Sequence, residues 1–237
     1  MIVMPANSSG WLFHCLARET GKLGHLYSPG AQRGPWPWFP FALENGAFSC
    51  WDMQDNLFDD DKWETVQPAW EKLIRWAAPT GLARWAIVPD VPGDMERTFE
   101  KWESSLFRTV ADADINPALA VQDGMVPADV RSLDNKPSVI CVGGSTEWKW
   151  HTIEMWAKEF PRVHVLRCNS PEKLSYLESL GVESCDGTGW NRGDKRQTSG
   201  LENWCRSNPE PKLYALSPYA CRANTGGRKG QMELFAK

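Results

Sequence analysis

Hydrophobic and polar positions along the chain fall into two alternating kinds of segment. Short β-branched or apolar runs occur at 1–5 (MIVMP), 41–49 (FALENGAFS), 84–90 (RWAIVPD), 117–123 (PALAVQD), 138–144 (SVICVGG), 162–168 (RVHVLRC), 182–186 (VESCD) and 212–217 (KLYALS). Each is strand-length and ends in polar or turn residues, which predicts a β-strand. Between them the apolar residues recur at helical spacing. In DDDKWETVQPAWEKLIRWAA the leading acids suit a helix N-terminus, and Trp63, Val66, Trp70, Leu73, Ile74 and Ala77 share one face. GDMERTFEKWESSLFRTV, STEWKWHTIEMWAKEF and SPEKLSYLESL behave alike, the last two opening on serine caps. The first gap is less regular, with a helix near 8–19 and a Pro/Trp-rich loop at 28–40.

Strands alternating with helices imply parallel strands joined by right-handed crossovers. Either an open doubly wound sheet or a closed (β/α)8 TIM-type barrel satisfies that pattern. Eight strand segments favour the α/β barrel, somewhat irregular, as a single domain over residues 1–237. That length is within the range of one barrel.

The strand ends carry the polar residues. Strand segments end in Glu44-Asn45-Gly46-Ala47-Phe48, in Asp90, in Gln122-Asp123, in Gly143-Gly144 and in Asp186. Asp before Gly is a common turn signature, because the carboxylate can bond the backbone two residues on, so Asp186 alone reads first as a turn residue. In a parallel α/β architecture, however, the C-terminal strand ends converge on one rim where ligands bind. Independent turn acids would not share that register, and the rim reading of Asp186 is preferred.

Composition narrows the function classes. The seven cysteines are odd in number and show no paired spacing, so they read as buried small hydrophobes in a reducing compartment. The opening MIVMPANSSGWLF has no basic leader and no segment approaches a membrane span, which predicts a soluble, cytoplasmic protein. Most of the fourteen tryptophans follow helical spacing and read as packing residues. Charge is uneven: the chain carries a net −4, yet residues 187–237 hold nine Lys/Arg against four acids. That basic C-terminal portion is a candidate surface for an anionic partner, or a solvated tail. Arg192, Lys195 and Arg196 follow Asp186 within ten residues and are its candidate phosphate contacts.

His14, His25, His151 and His164 are scattered without metal-ligand spacing, and no metal or other cofactor is expected. Each reads as an isolated surface or core histidine. GTGWNRGDK and VGGSTEWK lack the frame of a phosphate-binding P-loop, which argues against nucleoside triphosphate chemistry. What remains is a rim of acids. Facing carboxylates are what glycosidic bond cleavage requires, one attacking or stabilising the anomeric carbon and one moving protons. Asp90 can accept two N–H bonds from the edge of a guanine-like base, Gln122 can reach its carbonyl, and Phe48 can stack on its face. The diglycine Gly143-Gly144 removes side chains, so that backbone N–H groups can approach a planar ligand.

The ordered motifs resemble the tRNA-guanine transglycosylase superfamily, in particular the short phage and bacterial DpdA-like 7-deazaguanine DNA transglycosylases. ENGAFS is similar to the family's Asp-Ser-Gly-Gly-Phe/Tyr, VPD to its second-acid strand end, VQDG to Val-Gln-Gly-Gly and VGGS to Gly-Gly-Leu. NSPEKL followed by GVESCD is similar to Gly-Thr-Pro-Glu-Asp-Leu followed by Gly-Val-Asp-x-x-Asp. The similarity spans residues 41–193. It implies a (β/α)8 barrel in which Asp186 is the nucleophile at C1′ of a guanosine and Glu44 the acid/base. Asp90, Gln122 and Gly144 would read the base, with Gly143 and Asn45 beside them, and Phe48 and Leu166 would sandwich it. A 7-deazaguanine such as preQ0, rather than water, would resolve the glycosyl intermediate, exchanging the base in DNA or tRNA without ATP. A homodimer or an accessory protein is compatible with this scheme. Glu44 departs from the family's usual Asp, and the family's Cys-x-Cys-x-x-Cys…His zinc site is missing. Two rivals stay open: a (β/α)8 glycoside hydrolase using the Trp-rich 36–38 loop as a sugar platform, and a non-catalytic nucleic-acid-binding barrel.

Overall fold

The computed structural model describes residues 1–6, 10–52, 54–55, 57–191 and 195–207. Eight parallel strands form a nearly closed barrel: β1 (Ile2–Pro5), β2 (His25–Tyr27), β3 (Phe41–Leu43), β4 (Ala83–Ile87), β5 (Pro117–Val121), β6 (Val139–Val142), β7 (Val163–Val165) and β8 (Ser184–Gly187). Each pairs with its neighbour from β2 round to β8, and β8 returns to β1 with Asp186 opposite Met4. Two isolated bridges, Val3 to Leu23 and Ala6 to Leu26, bring β1 against β2. That closure decides for the barrel over the open sheet.

The strands read as near-continuous apolar runs because both faces are covered. Alternate residues point inward: Met4, Leu26, Ala42, Trp85, Ala118 and Cys141 belong to one interior cluster, with Ile2 and Leu166 against it. Small alanines on β3 and β5 leave room for the indole of Trp85, which is fully buried. The intervening residues, such as Val3, Leu119, Val142 and Cys185, join the larger core beneath the helices.

Among the described residues there are eight α-helices: α1 (Trp11–Thr20), α2 (Asp60–Ala77), α3 (Met95–Trp102), α4 (Ser105–Ala111), α5 (Pro127–Ser132), α6 (Thr146–Glu159), α7 (Pro171–Ser179) and α8 (Lys195–Ser207). In α2, Trp63, Trp70, Leu73, Ile74 and Ala77 are buried as the periodicity predicts, and Asp59 caps the helix by accepting from the Lys62 N–H at 2.9 Å. Ser145 caps α6 in the same way, accepting from Trp148. Ser170, in contrast, occupies the cap position of α7 but turns its hydroxyl to the Glu172 carboxylate at 2.7 Å.

Other differences from the sequence-based expectation concern element ends. β2 has no counterpart among the strands that the sequence pattern predicts, because three residues between Gly24 and Ser28 are too few to show a period. The expected strand over 212–217 lies outside the described residues. The run 41–49 stops being a strand at Leu43: Asn45 accepts the Ala47 N–H through its side chain and Gly46 takes φ 79°, turning the chain into a 3₁₀ segment over Ala47–Cys50. The helix expected across 93–110 is two helices, since Ser104 has extended φ/ψ and starts α4 by accepting from the Leu106 N–H. The six described cysteines are buried. Among the described residues, no helix is long and apolar enough to cross a membrane.

Candidate active site

Asp186 sits on β8 at the C-terminal mouth of the barrel and is only 6% exposed. Its Oδ1 accepts the backbone N–H of Arg167 at 3.0 Å and meets His164 Nε2 at 3.2 Å. His164 lies on β7, two positions below Leu166, wholly buried with its ring 4.5 Å from that of Trp85. Its Nδ1 contacts the Ser184 hydroxyl at 2.8 Å. A carboxylate can only accept, so Nε2 carries hydrogen and, in the neutral ring, Nδ1 accepts from serine. Among the described residues nothing donates to Asp186 Oδ2, which leaves one carboxylate oxygen held and the other available.

Glu44 follows β3 directly, its N–H bonded to the Tyr27 carbonyl at 3.0 Å and its carboxylate accepting the Ser28 hydroxyl. Burial pushes its pKa above the ordinary glutamate value; the Ser28 bond opposes this, and the nearby charges of Asp186 and Asp90 add to the rise. Asp90 is likewise raised by burial, against the hydrogen bond from Asn45 and the charges of Lys101 and Arg167. The three rim acids therefore share one electrostatic environment, as converging strand ends require.

The predicted base readers divide into two groups. Asp90 Oδ1 is oriented by Asn45, whose Nδ2 donates to it at 2.7 Å and to the Val88 carbonyl at 3.2 Å. Its oxygen accepts the Ala47 N–H, so both amide hydrogens and one oxygen lone pair of Asn45 are engaged. In this arrangement Asn45 positions Asp90. Gln122 is also corrected. Its Nε2 donates to Val91 O and Thr98 Oγ1, both at 2.9 Å, while its Oε1 accepts the Gly93 N–H at 2.7 Å. Both ends of the amide are thus spent on the 91–98 segment, which follows Asp90, and no group is left over for a carbonyl on a base.

The diglycine divides in the same manner. Gly143 N–H is consumed by the Val121 carbonyl at 2.9 Å, continuing the sheet, so it is no free donor. Gly144 has φ 68°, and a Cβ there would collide with the Asp123 carboxylate. That carboxylate ties the next turn by accepting the Ser145 N–H and hydroxyl at 2.6 and 2.5 Å. Leu166 lies on top of the interior cluster, beside Gly143. Phe48 is 46% exposed, its ring 5.6 Å from that of Trp51. The guanidinium of Arg167 lies over Phe48 at 4.9 Å and donates to the Gly144 carbonyl, joining two sides of the mouth.

Of the three basic candidates, Arg192 lies outside the described residues. Lys195 begins α8 and is exposed. Arg196 is paired with Glu172 at 3.0 Å on the adjoining helix. The Trp-rich loop is not at the mouth: Trp38 lines a cavity of about 300 Å³ with Ile2, Leu82 and Ala83, at the N-terminal ends of β1 and β4.

Sequence reasoning missed His164, Arg167 and Lys149. The first had a usable signal, since His164, like Leu166 and Asp186, falls on an inward position of its strand. Lys149 is buried on α6 and donates to the carbonyls of Leu166 at 2.6 Å and Arg167 at 3.5 Å, a contact between distant segments with no local signature.

The chain matches no protein-family model and no curated protein. What the fold and the rim define is a (β/α)8 barrel with a buried, histidine-supported aspartate and two further acids at its C-terminal mouth.

Proposed function

We propose that the protein is a base-exchange transglycosylase, replacing guanine in nucleic acid, DNA foremost, by a 7-deazaguanine such as preQ0. The observation that carries the reading is Asp186: one oxygen is fixed by His164 and the Arg167 N–H while the other is left available, in a mouth shared with Glu44. A carboxylate oriented in this way is a nucleophile for an anomeric carbon.

In the first step Asp186 Oδ2 bonds to C1′ as the C1′–N9 bond breaks, its electron pair leaving with guanine. Glu44 donates a proton to the departing base; burial and neighbouring acids favour its protonated form. In the second step the incoming 7-deazaguanine returns a proton to Glu44 and its N9 displaces the carboxylate from C1′. The balance needs neither water nor ATP. Asp90, oriented by Asn45, accepts N–H groups of either base, and Phe48 supplies a stacking face.

The family resemblance of the ordered motifs at 41–193 supports the same reaction. Against the hydrolase alternative, the tryptophan loop it would use as a platform lines the opposite end of the barrel. The test is incorporation of labelled guanine and of labelled preQ0 into DNA and into tRNA, with the Asp186→Asn variant as control. Label in DNA that depends on Asp186 supports the reading. Release of guanine without incorporation, leaving an abasic site, would establish a hydrolase, and binding without either product a non-catalytic barrel.

A further inference from the structure

One side chain at the rim has no part in that scheme, although the backbone N–H of the same residue helps to hold Asp186. Arg167 follows Leu166 in the β7–α7 loop and adopts φ 56°, a left-handed conformation unfavourable for a residue with a Cβ. Its backbone is held from two sides: the N–H bonds Asp186 Oδ1 at 3.0 Å, and the carbonyls of Leu166 and Arg167 receive the buried ammonium of Lys149. None of these contacts requires an arginine side chain. Glycine would satisfy all of them with less strain.

The side chain itself is exposed, lies over Phe48 at 4.9 Å and donates to the Gly144 carbonyl. Among the described residues no carboxylate forms an ion pair with it, whereas Arg196 on α8 is bound to Glu172. A guanidinium has five donors in a planar fork, and among the described residues this one donates to a neutral carbonyl and covers a ring, while its charge also acts on the Asp90 carboxylate without a direct bond to it. Its own peptide N–H touches the carboxylate that attacks C1′. The guanidinium is therefore within one side-chain length of the attacked sugar. A nucleotide carries phosphates on the 5′ and 3′ oxygens of that same sugar; a neutral glycoside carries none.

We infer that Arg167 is a specificity-determining residue that binds a backbone phosphate flanking the attacked nucleotide. A base entering against Phe48 takes the ring face that the guanidinium covers, and the guanidinium turns to the phosphate. The inference rests on the transglycosylase reading and deepens it: the site selects a phosphodiester-linked nucleotide over a free nucleoside, and the phosphate contact comes from the β7 loop.

The test uses Arg167→Gly, which keeps the N–H to Asp186 and tolerates the positive φ, and Arg167→Lys, which keeps the charge without the fork. Base exchange is measured on a single-stranded oligodeoxynucleotide and on deoxyguanosine, and oligonucleotide binding by fluorescence anisotropy at several salt concentrations. For Arg167→Gly the ratio of kcat/KM on oligonucleotide to that on nucleoside should fall about tenfold, and the slope of log affinity against log salt should flatten by about one. Arg167→Lys should recover most of the slope and part of the ratio. An unchanged salt slope, or equal losses on both substrates, overturns the assignment. A parent protein that exchanges no base on either substrate overturns the transglycosylase reading instead, while the anisotropy slope still decides whether Arg167 binds phosphate.

Discussion

The imidazole of His164 stands between Ser184 and Asp186, with Nδ1 2.8 Å from the serine hydroxyl and Nε2 3.2 Å from Asp186 Oδ1. Strand register brings this about: Ser184 is the pairing partner of His164, and Asp186, two residues on, faces the same interior one step nearer the mouth. A wholly buried ring cannot turn away, so it fixes which carboxylate oxygen is presented.

Removing that support should cost both stability and rate. His164→Ala leaves Ser184 and Asp186 short of a buried partner, a loss of about 1–3 kcal/mol in chemical denaturation. In exchange assays kcat should fall while KM for the incoming base changes little. His164→Gln, which retains a donor toward Asp186, should regain part of kcat. A variant series in which kcat simply tracks stability would reduce His164 to a packing residue.

Asp186→Asn should fold as the parent does and lose exchange by at least about 10³-fold, since an amide of the same shape is not a nucleophile. Trapping a covalent glycosyl adduct with the parent, and none with the variant, is the direct check. Near-parental turnover by the variant would return Asp186 to a turn role.

Glu44 gives a pH prediction whose sign follows from its raised pKa. The folded protein binds this proton more tightly than the unfolded chain, so stability falls as pH rises from the ordinary glutamate value through the folded pKa. Glu44→Gln removes that loss. The variant should gain stability over the parent at pH 8 relative to their difference at pH 4, with denaturant midpoints as the measurement, while exchange is abolished. Equal differences at both pH values would show that Glu44 carries no raised pKa.

Gln122 predicts a stability effect where a base contact was expected. Replacing it by Leu leaves the Gly93 N–H, Val91 carbonyl and Thr98 hydroxyl without their amide partner, at about 1–3 kcal/mol. Hydrogen exchange should rise over 91–98. If protection there is unchanged, the amide is not what holds the segment.

Asp90→Ala should weaken binding of the free base by about 1.5–3 kcal/mol per lost charge-assisted bond, with a smaller effect on oligonucleotide affinity. Titration calorimetry with preQ0 and anisotropy with DNA separate the two. Equal losses would mean that Asp90 organises the mouth without reading the base.

Much of this was legible in one dimension. Apolar runs alternating with amphipathic helices carry the barrel, because a parallel strand buried on both faces must be apolar throughout and a helix covering it must be so on one stripe. The same alternation put Glu44, Asp90 and Asp186 at strand ends, and in a parallel barrel those ends share a rim. Position along the chain therefore sufficed to place these three acids at one mouth. It did not reveal what each polar side chain would spend its hydrogen bonds on, since partners such as Gln122 with Val91 and Thr98, or Arg167 with Asp186, are separated by about twenty to thirty residues. Barrel closure decided those pairings. It turned Gln122 and Asn45 from readers into supports, paired an isolated-looking histidine with the aspartate, and brought Arg167, which nothing in LRCN marks, over Phe48. Periodicity is a property of the backbone and survives in the sequence, whereas a hydrogen bond across strands depends on register and rotamer and exists only after folding.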